Sequence, residues 1–148
     1  MAPDQTFVPT RIIIHHSLTP DSETVSWNAI RDYHIKTLGW ADIGYHSGVE
    51  LIRGHHEALF GRPWHIPGAH CYEHNHDSLG FVFVGNYDER EPPDGILLAG
   101  ANAIGIWMDI YGIELSRIFT HNYFNAAKTC PGTKFDMIRL KNAILGLL

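Results

Sequence analysis

The sequence predicts an α/β fold: a single domain with a mixed central sheet of about five strands and about three flanking helices. Three observations predict it. Short β-branched or doubly apolar runs alternate with stretches of helical apolar spacing, and turn residues punctuate each change of period. The 148 residues, 45% hydrophobic and 18% charged, suffice for one core and are too few for two.

Each element can be justified in chain order. Arg11-Ile-Ile-Ile-His15 is a β-branched run bounded by Pro9 and Pro20, the pattern of a buried central strand, and it ends at His15 and His16. After the polar stretch Pro20 to Thr24, apolar residues recur near helical spacing from Ser26 to Gly39, with Ser26 available as N-cap and Gly39 as terminator. Tyr45 to Ile52 and Glu57 to Phe60 read as a hairpin turning near Gly54, which leaves His55 and His56 in a solvated turn. Trp64 to Asp77 is a loop. Ser78 to Val84, apolar on both faces, returns as a strand and is broken by the acidic, proline-containing segment Asp88 to Asp94. Ile96 to Tyr111 is apolar around much of its circumference, predicting a well-buried helix in which Gly100 and Gly105 admit close approach. Leu115 to Thr120 is a last short strand ending at His121, and Phe135 to Leu147 is a closing helix with Met137, Leu140 and Ile144 on one stripe. No repeat or linker interrupts the series, so residues 10–147 form the core and residues 1–9 an N-terminal extension.

A formal net charge of −5 gives no general attraction to phosphate backbones or anionic lipid, so nucleic acid is not an expected partner. No apolar run reaches membrane-spanning length, and a monomer is the default expectation. Met1 to Thr10 has neither the basic start nor the apolar centre of a secretory signal, from which synthesis in the cytoplasm is expected. Cys71 and Cys130 are too few for a disulfide framework and are read as reduced.

Histidine is the outlier, with 11 residues in the chain. A catalytic zinc ion wants three nitrogen or sulfur ligands and an open position, preferably on the ends of rigid elements. His121 and Cys130 fit, together with a histidine at the end of the first strand. Neighbouring strand residues point to opposite faces, so only one of His15 and His16 can ligate, and periodicity alone does not choose between them. Singly, each of these residues is more often a hydrogen-bonded histidine or a small buried thiol. The loop group His65, His70, Cys71, His74 and His76 competes as a second metal site but lacks a paired ligand signature. His34, beside Tyr33, reads as packed and hydrogen-bonded.

Several motifs, in order, resemble one known family. They are Ile-Ile-His15-His16-Ser, Ile-Arg-Asp-Tyr-His34 through Gly39-Trp40, Asp42-Ile-Gly-Tyr45-His46, Gly61-Arg62-Pro63-Trp64, Gly68-Ala-His70, Asn75-His-Asp-Ser78-Leu-Gly80, Val84-Gly-Asn86, and His121 through Lys128-Thr-Cys130-Pro131-Gly132. Together they resemble the zinc-dependent N-acetylmuramoyl-L-alanine amidases of type 2, which include small phage lysozymes and animal peptidoglycan recognition proteins. The resemblance implies a groove for a peptide stem and one Zn2+ per chain held by His15, His121 and Cys130. It places Tyr45 beside the attacking water and Lys128 beside the scissile carbonyl. His70 is implied as a groove-wall or ligand-supporting residue, and Arg62, Trp64 and Asn86 as substrate contacts. Hydrolysis of the bond between the lactyl group of N-acetylmuramic acid and L-alanine is the implied activity, in the manner of a phage or prophage endolysin acting on peptidoglycan or muropeptides once released. The alternatives are a non-catalytic peptidoglycan-binding module, a cytoplasmic muropeptide-recycling amidase, and a His-rich metal-handling protein.

Overall fold

The computed structural model describes residues 6–19 and 27–148; residues 1–5 and the stretch 20–26, including the expected Ser26 cap, lie outside the described residues. Five strands form one mixed sheet in the order β3-β2-β4-β1-β5. They are β1 (Arg11–His16), β2 (Ser47–Ile52), β3 (His55–Phe60), β4 (Ser78–Phe83) and β5 (Ile118–Thr120). β2, β4, β1 and β5 run parallel, and β3 is added antiparallel at the edge by a hairpin. The hairpin turn is Arg53-Gly54, both with positive φ, as a two-residue connection between twisted strands requires.

Four α-helices cover the sheet: α1 (Trp27–Asp32), α2 (Asp94–Tyr111), α3 (His121–Phe124) and α4 (Met137–Ile144). The expected first helix is thus shorter than its pattern, with Tyr33–Thr37 wound as a wider π turn before Gly39 takes a left-handed conformation. α2 and α4 pack on one face, where Ile12, Ile14, Phe81, Phe83, Trp107 and Leu140 form the larger core. On the other face Trp27 and Ile30 of α1 meet Ile43, Val82 and Val84 in a smaller core. The alternation along β1 divides its side chains between the two, so His15 emerges on the face opposite Ile12 and Ile14.

Several elements differ from expectation for local reasons. The strand β3 begins at His55, so His55 and His56 are strand residues, and the half-buried His56 ring packs against Gly95. α2 is not buried all round: Leu98, Ile106 and Ile110 are exposed, and nothing approaches Gly105, whereas a side chain at Gly100 would strike the Phe83 ring. The expected strand Leu115 to Thr120 opens as a 3-10 turn over Leu115–Arg117, leaving three residues in the ladder. α4 starts later than Phe135 because the Asp136 carboxylate caps it, accepting from the backbone N–H groups of Ile138 and Arg139. The N-terminal boundary shifts too: Phe7 packs on the core and stacks on His46, so the folded unit reaches back beyond residue 10.

Candidate metal centre

Parallel neighbours β1 and β5 deliver two imidazoles to one place. Ile14 pairs with Thr120 in the ladder, so His15 and His121 follow side by side at the carboxyl ends of the two strands. Cys130 comes back from the loop after α3, its Sγ 3.6 Å from His15 Nδ1. The candidate ligand atoms of His15, His121 and Cys130 all lie within 4.8 Å of one another, and among the described residues this is the one group of three His, Cys, Asp or Glu side chains so placed. Two imidazoles and a thiol, with no carboxylate, are a donor set suited to zinc, and three protein ligands leave a fourth position open. His16 is committed elsewhere: its Nδ1 accepts from the Tyr87 N–H at 3.1 Å, and its backbone N–H donates to Cys130 Sγ at 3.3 Å.

The ring behind His15 fixes its tautomer. With Nδ1 turned toward the sulfur, His15 Nε2 carries the proton and donates to His70 Nδ1 at 2.9 Å. His70 in turn donates from Nε2 to Ser78 Oγ at 3.2 Å, and Ser78 passes its own proton to the His74 carbonyl at 2.6 Å. Gly80 makes room for this: a side chain there would lie 2.5 Å from His70 Cγ. Such backing of a ligand imidazole orients the ring and raises its basicity. Burial pushes the pKa of His15 well down and that of His70 to about 3, so both rings are neutral at physiological pH. Burial pushes the Cys130 thiol up to about 12, against the pull of the His16 N–H and the Lys128 ammonium. The free thiol is thus protonated at physiological pH, and a metal ion held there would take the place of that proton.

Around this group lies a cleft of about 230 Å³ lined by Tyr45, Lys128, Thr129, His34 and Trp40 as well as His15, His121 and Cys130. Tyr45, two residues before β2, sets its ring 5.2 Å from the His15 ring, and burial raises its phenol well above the usual value. Lys128 is exposed at the rim, and its charge helps to hold the His121 pKa down, after burial. His34, expected to be packed and hydrogen-bonded, is both: its Nδ1 accepts from the Gly44 N–H at 2.9 Å. The ring also lines the cleft, which its place in a helical pattern did not disclose. Trp40 reaches the cleft beside it, with ring centroids 4.6 Å apart; the Gly-Trp pair at the helix end was the available signal.

The other expected contacts are placed elsewhere. Arg62 spends its guanidinium on the carbonyls of Ile43, Pro67 and Asp42, tying the loop before β2 to the loop after β3, and does not line the cleft. Trp64 donates to the His46 carbonyl and packs edge-on against Trp107. Asn86 accepts from the Asp88 N–H and shapes the turn after β4. In the loop expected to compete for metal, Cys71 is buried, His74 lies tilted against Phe124 and His76 faces Asp77, so these side chains do not converge. Among the described residues no helix is long and apolar enough to cross a membrane.

Comparison with known proteins agrees with this geometry. The Drosophila melanogaster peptidoglycan-recognition protein SC1a is 32% identical over 126 residues, which are 82% of this chain and 66% of that relative, so the chain spans just under two thirds of its length. The fold is similar to the amidase LysC from Clostridium intestinale, with TM-score 0.79 at 23% identity over 96% of this chain and 88% of that one. It is also similar to the endolysin amidase LysCS of the same organism, with TM-score 0.72 at 26% identity over 96% and 86%. The family model for N-acetylmuramoyl-L-alanine amidase matches residues 5–133, and the chain belongs to that family.

Proposed function

We propose that this chain hydrolyses the amide bond between the lactyl group of N-acetylmuramic acid and L-alanine in peptidoglycan, using a single Zn2+ held by His15, His121 and Cys130. The observation that carries the reading is the convergence of those three side chains at the floor of an open cleft. Zinc in a three-ligand site supplies Lewis-acid polarisation of a carbonyl and brings water within reach of ionisation near neutral pH. The protein's own groups do the rest. His70 holds the His15 ring in its metal-facing tautomer. Tyr45, kept a phenol by burial, serves as a hydrogen-bond donor that orients the attacking water or the carbonyl and does not act as a base. Lys128 brings a positive charge to the developing oxyanion, an interaction typically contributing about 10²-fold or more in rate.

Membership of the amidase family and the likeness to a protein described as an endolysin support this reading, and with it a role in wall lysis. The name of the recognition-protein relative favours a second reading, binding without cleavage. Cys130, aimed at His15, argues for catalysis, since binding alone has no need of a thiol at the cleft floor. Mass spectrometry of muropeptides incubated with the native and Cys130→Ala proteins tests the choice. Free stem peptides released by the native protein alone are expected. Cleavage between sugars, or equal release by both proteins, would overturn the proposal.

A further inference from the structure

The loop that carries Cys130 and Lys128 contains no regular structure of its own between α3 and α4, yet it must hold the sulfur opposite two imidazoles. Its anchorage lies in the turn after β4. Asp88 Oδ2 accepts from Thr129 Oγ1 at 2.9 Å, and Asp88 Oδ1 accepts from the Thr133 N–H at 2.8 Å. The Lys134 N–H adds a bond to the Tyr87 carbonyl at 2.8 Å, and the Lys134 ammonium one to the Glu89 carbonyl at 3.0 Å. Gly132, with φ of +124°, lies so close to Tyr87 that a side chain would stand 2.4 Å from its carbonyl group. The circuit closes through β1, since the Tyr87 N–H donates to His16 Nδ1 and the His16 N–H donates to Cys130 Sγ.

We propose that Asp88 is a positioning residue for the metal centre: its carboxylate, bonded to Thr129 and Thr133 on either side of Cys130, fixes where the sulfur stands. The inference rests on reading Cys130 as a ligand. Asp88 touches neither cleft nor ligand atoms and acts through the backbone of the loop. A carboxylate suits the task because its two oxygens accept from two points of the loop at once, one a side-chain hydroxyl and one a main-chain N–H. Without it the loop samples more positions, and the metal is bound only by the fraction that brings the thiolate into place. Outer partners of metal ligands typically contribute about 10- to 100-fold in affinity.

The test is zinc affinity by chelator competition for the full chain and its Asp88→Ala, Thr129→Val, Thr129→Ser and doubly substituted Asp88→Ala/Thr129→Val forms. The thiolate-to-metal absorption of the cobalt-loaded proteins is recorded alongside. Asp88→Ala and Thr129→Val are each expected to weaken zinc binding by about 10-fold and to dim the thiolate band. The double variant is expected to be no weaker than the poorer single one, and Thr129→Ser, which keeps the hydroxyl, to bind as the parent does. Thr129→Val is conservative enough to preserve the fold, and metal-free melting curves identify any variant that is merely unfolded. Parental affinity and an undimmed band in a folded Thr129→Val or Asp88→Ala protein would overturn the clamp while leaving the metal site intact. A parent chain that takes up no zinc, or that keeps its affinity in Cys130→Ser, would overturn the reading beneath it as well.

Discussion

Two groups of histidine and cysteine side chains stand out in this molecule, and only one of them brings three ligand-type atoms together among the described residues. The loop Trp64 to Asp77 gathers His65, His70, Cys71, His74 and His76 within a short stretch, whereas His15, His121 and Cys130 are scattered along the chain. The loop residues turn to separate structural tasks, whereas His15 and His121 meet because β1 and β5 are parallel neighbours whose carboxyl ends open onto the same cleft, and the loop after α3 returns Cys130 to them. Proximity along a loop sets no common direction for side chains; adjacent strand ends do. His70 joins the two regions, being a loop residue whose ring backs a strand-end ligand.

The contrast is broken most directly by comparing Cys130→Ala with His74→Ala. Cys130→Ala is expected to lose both bound zinc and amide hydrolysis, and His74→Ala to keep the parental metal content, as metal analysis of the purified proteins would read. Tyr45→Phe and Lys128→Ala are expected to keep the metal while lowering kcat/KM by about 10²-fold each. His70→Ala is expected to cost about 10-fold in zinc affinity, a smaller effect than loss of a ligand because it removes support and no bond to the metal.

A separate effect, on folding and not on the cleft, concerns stability in acid. The fully buried His46 ring accepts from the Gly80 N–H and bonds the Ile66 carbonyl, and burial lowers its pKa to about 4. Above about pH 6.5 the ring is neutral in both folded and unfolded chains, and its full contribution is present. As pH falls the unfolded chain takes up the proton first, and stability drains until the folded ring protonates near pH 4, a loss of about 3 kcal/mol at most. Denaturant titrations of the metal-free protein at pH 7 and pH 4.5 should show a loss to which the buried His15 and His70 add in the same direction, and His46→Gln should reduce it by the His46 share.

Much of the fold was legible in the sequence because one residue pattern answered to one burial. Arg11 to His15 and Ser78 to Val84 read as buried strands, and as β1 and β4 they are the two interior strands of the parallel ladder. The exposed stripe of α2 was not legible, since Leu98, Ile106 and Ile110 have the composition of a core and only the placement of the sheet decides which side is covered. The choice between His15 and His16 turned on partners from Tyr87 and His70, both remote in sequence. The family motif put Arg62 among the substrate contacts, yet its guanidinium donates to three carbonyls that no spacing rule places nearby. Asp88 sat unnoticed in an acidic, proline-containing breaker because its partners, Thr129 and Thr133, come from the far end of the chain.

The central claim is that an ion sits among side chains brought together by two neighbouring strands and the loop that carries Cys130. A crystal of zinc-loaded protein, with anomalous data collected on either side of the zinc absorption edge, tests it most directly. The account predicts one strong peak, within bonding distance of His15 Nδ1, His121 and Cys130 Sγ. A peak in the loop between Trp64 and Asp77, or none beside the sulfur of Cys130, would contradict it.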